Sequence, residues 1–306
     1  MEKNSTKLMI SVIFPTYNEE GNVGELHKLN KETLDKIGLP YEIIIVDNGS
    51  KDNTLAILKG LSPIKIISLT KNFGQTAALE IGINSAKGDM IVIMDGDMQN
   101  DPRDIPKLLS KLEEGYDVVS GWRKDRHDNF IRKAHSYLAN WLTRKISGLN
   151  LRDHACALKI YRKEFLKQIR LYGVQHVFLA AQVYGFGARI AEVEVVHHAR
   201  KHGLSKHHFF AGIKAIADLI MVRFLSPDTR PFVFFAGCGF WIWFLGIVNA
   251  VLGAIYGSRG FIIVALILTG LGFLLFVLGF MSELLRRIYL ELRSERPILV
   301  KEIIEQ

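Results

Sequence analysis

The chain has 306 residues, 49% hydrophobic and 23% charged, with a formal net charge of +8 and two cysteines. That length suits one large domain or a domain with an appendage, and the apolar share is high for a purely soluble protein. Cys156 and Cys238 lie far apart, which excludes a disulfide framework and a cysteine-based zinc site; both read as small buried apolar side chains.

In chain order, the first two thirds alternates apolar runs with helical stretches. Leu8–Phe14, Tyr41–Val46, Ile64–Leu69, Met90–Met94 and Asp117–Ser120 read as strands. Segments near Gly21–Ile37, Asn53–Leu61, Gly74–Ala86 and Pro102–Glu114 read as helices. The first run ends at Pro15, too short for a signal sequence and without a small-residue cleavage site, so the chain is expected to begin in the cytoplasm. Strand–helix alternation predicts an α/β fold with a mostly parallel sheet, helices on both faces, and ligands beyond the C-terminal strand ends. Polar loops follow four strands there: PTYNEE from Pro15, DNGSKD from Asp47, TKNFGQ from Thr70 and DGDMQ from Asp95. No G-x-G-x-x-G follows the first strand and no Walker-type lysine loop occurs, so a dinucleotide-dependent oxidoreductase lacks its phosphate turn.

The pair Asp95 and Asp97 closes the apolar run IVIMDGDMQ. Alternation at a strand end points both carboxylates to one side. Two such groups suit a hard cation, Mg²⁺ or Mn²⁺, which keeps positions open for phosphate oxygens. Acidic loop residues are usually only solvated; the preceding strand and the three facing loops favour a metal. Arg123, Lys124, Arg126, Arg132, Lys133, Arg144 and Lys145 crowd between this loop and Asp153. They suit a phosphate ligand or anionic headgroups, although any one of them also fits a solvated helix face. Trp122, Tyr137 and Trp141 nearby raise single-stranded nucleic acid, which the membrane segments downstream exclude. His197, His198, His202, His207 and His208 cluster loosely, but no acidic or cysteine partner is spaced to complete a metal site.

From Ser205 to Phe224, apolar residues recur at helical spacing between Lys206, Lys214 and Asp218. This predicts an amphipathic helix in the membrane interface plane, with a soluble core helix as the competing reading. Pro231–Ser258 and Gly260–Ser282 carry no charge, and each exceeds the roughly 20 apolar residues that cross a bilayer. The short link between them makes a hairpin. Arg223 and Arg230 precede it and Arg286, Arg287, Arg293 and Arg296 follow, against Arg259 alone in the loop, so both ends are expected in the cytoplasm.

Assembled, these segments make the chain resemble the family 2 glycosyltransferases of the GT-A fold, and more narrowly the polyprenyl-phosphate glycosyltransferases. FPTYNEE, IVDNGSKDNT, KNFGQTAAL, MDGDMQNDP, RDHACALKIYR and HHARKHGLSKH carry the resemblance, in order, along almost the whole chain. It implies a cytoplasmic GT-A catalytic domain over residues 1–204 and an amphipathic interface helix and linker over 205–230. A transmembrane hairpin over 231–282 (spans 231–256 and 260–282) and a cytoplasmic tail over 283–306 follow. Pro15, Tyr17 and Glu19 match positions that contact the nucleoside, Asp47 the base or ribose, and Lys71 and Asp95 belong to the same nucleotide-sugar site. Asp95, Asp97 and Gln99 match metal-binding positions, and Arg123, Arg132 and Ser136 those that hold the acceptor phosphate. Asp97 and Asp153 are the catalytic candidates, Asp153 matching an acidic position sometimes assigned as base. Arg200, Ser205 and Lys206 match a basic R-x(4)-S-K element that closes over the diphosphate. Gly96 and Met98 stand where the family usually has Ala and Leu, and Ala155 replaces a glycine beside Asp153. No Q-x-x-R-W element is present.

The resemblance implies transfer of a sugar from a nucleotide-sugar to a polyprenyl phosphate, dependent on Mg²⁺ or Mn²⁺ and inverting at the anomeric carbon. An ionised phosphate nucleophile needs no strong base, so Asp153 can serve by positioning. Two other readings stand beside this one: a membrane glycosyltransferase with a different lipid acceptor, and a non-catalytic nucleotide-sugar-binding partner, against which the intact Asp95, Asp97, Asp47 and Glu19 argue. The plasma (inner) membrane is the expected location, with a multi-pass topology, both termini cytoplasmic, possible homo-oligomers and a separate flippase downstream. The sugar and the choice of UDP or GDP stay open.

Overall fold

The computed structural model describes residues 8–123, 140–167, 169, 171, 175–199, 219–221, 224, 230–291 and 300–305. The chain forms two compact units, Met1–Val222 with Arg296–Gln306, and Arg223–Glu295.

In the first unit, β1 (Ile10–Thr16), β2 (Tyr41–Asp47), β3 (Lys65–Leu69) and β4 (Met90–Ile93) pair in parallel. Their apolar runs are continuous because both faces are covered, as parallel sheets require. Ile10, Val12, Phe14, Ile43 and Ile45 pack to one side with Leu26 and Leu34 of α1 (Val23–Ile37), Leu58 of α2 (Thr54–Leu58) and Leu108 and Leu112 of α4 (Ile105–Glu113). Ile13, Ile44, Val46 and Ile93 pack to the other with Ala78, Leu79 and Ile83 of α3 (Gln75–Ser85) and Leu179 and Val183 of α5 (Leu179–Gly185). Each fully buried aliphatic side chain contributes about 1.5–3 kcal/mol, so the two layers fix the strand order around β1.

The sheet has eight strands in the order β7-β5-β6-β4-β1-β2-β3-β8. β5 (Val118–Arg123) fulfils the fifth expected strand, running three residues further than the apolar pattern. Three strands were not foreseen. β6 (Lys159–Arg162) inserts antiparallel between β4 and β5, and β7 (Ile190–Val195) adds in parallel beside β5. β8 (Val300–Glu305) pairs antiparallel with β3, with Lys59–Glu302 and Lys65–Glu305 ion pairs at 2.8 and 3.2 Å. Short strands broken by charge give no clean apolar run, which is why the pattern hid them.

In the second unit, α6 (Pro231–Tyr256) and α7 (Arg259–Glu291) form the expected hairpin, α7 continuing beyond Ser282. Their contact is made by small residues: a Cβ on Gly239 would lie 2.7 Å from the Gly272 carbonyl oxygen, and one on Gly272 would meet that of Gly239 at 2.7 Å. Close approach through glycine is how helices associate without a hydrophobic driving force between them. Most other side chains face outward, Leu266 at 70% exposure and Phe273 at 68%, which no soluble core helix shows. Both helices are long and apolar enough to cross a membrane. Cys156 is buried as expected, but Cys238 is exposed, because it lies on an outward-facing part of α6. Of the interface helix expected over 205–230, residues 219–221 and 224 are helical and most of the rest lies outside the described residues.

Removing residues 300–306 uncovers the β3 edge. Amide hydrogen exchange across β3 is expected to accelerate about tenfold or more while β1 keeps its protection, as local opening of an edge predicts; equal protection with and without the segment would contradict this pairing.

Candidate active site

The C-terminal ends of β1 to β4 place four loops along one sheet edge. The loops after β1 and β2 are laced together. Asn18, with φ of 54°, donates its N–H to Ser50 Oγ at 3.0 Å, and its own Oδ1 accepts from the Lys51 N–H at 2.8 Å. Glu19 N–H donates to Thr54 Oγ1 at 2.9 Å. Asp47, 1% exposed, accepts from Ser50 N–H and Ser68 Oγ at 3.1 and 3.3 Å, so its carboxylate is fixed at the mouth of β2. Asn48 reaches across to the third loop, donating to Asn72 Oδ1 and accepting from Phe73 N–H at 2.9 Å. Pro15 and Tyr17 are half-buried beside this lattice, and Lys71 is exposed with its ammonium 5.1 Å from the Phe73 ring centre.

Asp95 and Asp97 follow β4 directly. Burial, and then the Asp97 charge, push the Asp95 carboxyl up to about 6; a hydrogen bond from Gln75 Nε2 at 2.7 Å opposes the shift. Gln75 is the first residue of α3, so packing of that helix on β1 and β2 aims the donor. Gly96 separates the two aspartates because a Cβ there would sit 2.8 Å from the Pro15 carbonyl oxygen; the alanine usual in the family cannot fit this close approach unaltered. Met98 takes φ of 64°, a left-handed conformation costly for a non-glycine residue, and is held there by burial at 6% exposure. The turn lets Gln99 N–H donate to Asp97 Oδ1 at 3.1 Å and brings Gln99 Nε2 to 3.5 Å from His197 Nε2. His198 follows, its Nε2 2.9 Å from an Asp101 carboxylate that Arg103 and His198 themselves hold below the usual range against the effect of burial. Two of the clustered histidines thus flank the Asp95–Gln99 loop.

β5 and the segment before β6 bring Arg123 and Asp153 together. Arg123 Nε and Nη2 donate to Asp153 Oδ2 and Oδ1 at 2.6 and 2.9 Å, a bidentate pair with Asp153 3% exposed. The Asp153 backbone is anchored as well: Glu192 of β7 accepts from the Arg152 and Asp153 N–H groups at 2.8 and 3.1 Å. Sequence reasoning singled out Arg123 and Asp153 separately and assigned no role to Gln75, Glu192 or Lys159, the last donating from Nζ to the His154 carbonyl at 2.9 Å. Their roles depend on register between distant segments; only the position of Gln75 directly after KNFG gave a signal. Arg132, Ser136, Arg200, Ser205 and Lys206 lie outside the described residues.

A mixed α/β sheet in this order, with a carboxylate pair past the end of β4, is a GT-A-like architecture. The chain belongs to glycosyl transferase family 2, whose model matches residues 11–170. It is 37% identical over 317 residues to the dodecaprenyl-phosphate galacturonate synthase of Rhizobium johnstonii, covering 97% of this chain and 94% of that one. It is 31% identical over 305 residues to the undecaprenyl-phosphate 4-deoxy-4-formamido-L-arabinose transferase of Proteus mirabilis, covering 96% and 94%. Among solved structures, glucosyl-3-phosphoglycerate synthase from Mycobacterium tuberculosis, in complex with Mn²⁺ and UDP-glucose, aligns with a TM-score of 0.55. That alignment has 20% identity and covers 73% of this chain and 81% of that one.

Breaking the Arg123–Asp153 pair from one side leaves a buried guanidinium uncompensated. Asp153→Ala is expected to cost about 3–5 kcal/mol in unfolding free energy. Arg123→Met/Asp153→Ala should recover much of that loss in denaturant titration; equal destabilisation of single and double variants would refute the pairing.

Proposed function

We propose that the chain transfers a sugar from a nucleotide-sugar to a polyprenyl phosphate at a membrane surface. The carrying observation is the coincidence in one chain of the strand-end carboxylate pair with two membrane-length apolar helices. Full-length similarity to two enzymes named for polyprenyl-phosphate sugar transfer supports the acceptor class.

The donor lies along the β1–β4 edge, where Pro15, Tyr17, Glu19, Asp47 and Lys71 line the nucleoside side. A divalent cation, Mg²⁺ or Mn²⁺, fits the strand-end loop: both carboxylates are hard oxygen donors, and Asp95 carries a burial and like-charge penalty that Gln75, Arg123 and Lys159 offset only in part. Two carboxylates alone leave positions on such an ion for diphosphate oxygens. Asp95, Asp97 and Gln99 would hold the ion, and it would supply positive charge to the departing diphosphate. The family resemblance assigns Arg200, Ser205 and Lys206, which lie outside the described residues, to the same diphosphate.

A lipid phosphate oxygen attacks the anomeric carbon as the bond to the nucleoside diphosphate breaks, and the diphosphate leaves with the bonding pair. One displacement inverts the configuration. The nucleophile is already ionised, so no side chain takes a proton. Both Asp153 oxygens are engaged by Arg123, which supports Asp153 as the group that orients Arg123 toward the acceptor phosphate, together with Arg132 and Ser136, and disfavours it as a base for a hydroxyl acceptor.

Connectivity supports the membrane topology. The chain leaves the α/β unit before α6 and returns to it in β8 after α7, so both hairpin ends join the same soluble unit. With the arginines at those ends, this favours a cytoplasmic catalytic unit on the plasma (inner) membrane.

The test incubates purified protein with Mn²⁺ or Mg²⁺, undecaprenyl phosphate and a panel of UDP- and GDP-sugars. A lipid-phosphate-linked sugar is expected, with Asp97→Ala reducing turnover by about 10²-fold or more. Nucleotide release without a lipid product would overturn the acceptor assignment.

A further inference from the structure

Lys159 opens β6 in the interior of the sheet. It stands opposite Ile93 of β4 on one side and Ser120 of β5 on the other. β4 runs on from Ile93 to Asp95, and β5 runs on from Ser120 to Arg123, so the lysine sits at the root of both halves of the site. The residue is 4% exposed. Among the described residues its ammonium makes one hydrogen bond, to the His154 carbonyl at 2.9 Å, and no carboxylate pairs with it directly. An ammonium has three donors and sheds a large hydration energy on burial, so a lone carbonyl compensates it poorly.

That carbonyl belongs to the segment which presents Asp153 to Arg123. Glu192 fixes the Arg152 and Asp153 N–H groups, Asn140 Oδ1 accepts from the His154 N–H at 3.2 Å, and Lys159 holds the carbonyl beyond. The charge also reaches further than the hydrogen bond. Lys159 stands opposite Ile93, two residues before Asp95, and it disfavours a protonated His154, whose imidazole is pushed down to about 4 by burial first and Lys159 next. Burial lowers the ionisation of Lys159 itself, and Cys156, Asp153 and Asp95 oppose that.

We propose that Lys159 is a positioning residue of the transfer site, its buried positive charge holding Asp95 and the Arg123–Asp153 pair in their reactive arrangement. The proposal rests on the reading of this site as a sugar-transfer centre. A negative diphosphate, a negative acceptor phosphate and three carboxylates converge there, and Lys159 is a buried cation beside them with no direct carboxylate partner among the described residues, unlike Arg123. The charge opposes stability and serves the reaction, which separates this role from that of a scaffold residue.

Three variants of the full-length protein in undecaprenyl-phosphate vesicles separate charge from hydrogen bonding. Lys159→Met removes both, Lys159→Gln keeps a donor without the charge, and Lys159→Arg keeps the charge. Lys159→Met and Lys159→Gln are expected to lower kcat roughly 10- to 100-fold, with the donor KM changed less than threefold. Lys159→Arg should restore a substantial part of kcat, and the melting temperature of Lys159→Met should equal or exceed that of the unaltered protein. Wild-type-like kcat in Lys159→Gln, or a Lys159→Gln protein that fails to fold, would assign the residue to the scaffold and overturn the proposal. If the unaltered protein releases nucleotide but makes no lipid-linked sugar, the acceptor reading fails instead; the same variants are then compared on metal-dependent donor hydrolysis, where unchanged rates would again overturn the role of Lys159.

Discussion

Asp95 and Asp97 stand at the end of a strand that is buried on both faces, where desolvation and mutual repulsion make the doubly ionised state costly. The surrounding fold is arranged about that cost. Gln75 donates to Asp95 from the first turn of α3, Gln99 N–H donates to Asp97 through a left-handed turn at Met98, and Lys159 and Arg123 supply positive field from β6 and β5. What these groups leave uncompensated is negative charge that a divalent cation would balance.

The second half of the site follows a different logic. Arg123 and Asp153 neutralise each other with near-ideal bidentate geometry, and the Asp153 segment is pinned by Glu192, Asn140 and Lys159. A carboxylate so engaged is a poor proton acceptor and a good orienter. This fits the proposed acceptor, a lipid phosphate that arrives already ionised and needs no strong base.

The parts of this architecture that were legible in the sequence share one property: their signal is local. β1 to β4 are unbroken apolar runs because both faces are covered, and the residues after them are those of the proposed site. Asp95 and Asp97 lie past Ile93, the last residue of β4, in a turn bent at Met98, so strand alternation does not set their relation. The hairpin announced itself by length and absence of charge. What the sequence hid depends on pairing between remote segments. Lys159 and Glu192 sit in short strands whose charges mask a strand pattern, and β8 returns to β3 from the far side of the hairpin. Arg123 and Asp153 were each named, but as an acceptor contact and a possible base; only the bidentate contact in the folded chain shows that they belong to each other. Gly96 was visible as a departure from the family and became intelligible only beside the Pro15 carbonyl.

The central claim is that the strand-end pair is a cation site strained by its own charge, and Mn²⁺ binding measured against pH tests it most directly. The Asp95 carboxyl lies near 6, above its ordinary value, so below that pH a proton occupies it and must leave before a cation binds. Mn²⁺ titration of the full-length protein with UDP or GDP present should show affinity level above about pH 7 and falling by up to about tenfold per pH unit below about 6, with Asp97→Asn abolishing tight binding. Affinity that is flat from pH 7.5 to 5, or indifferent to Asp97→Asn, would contradict the account.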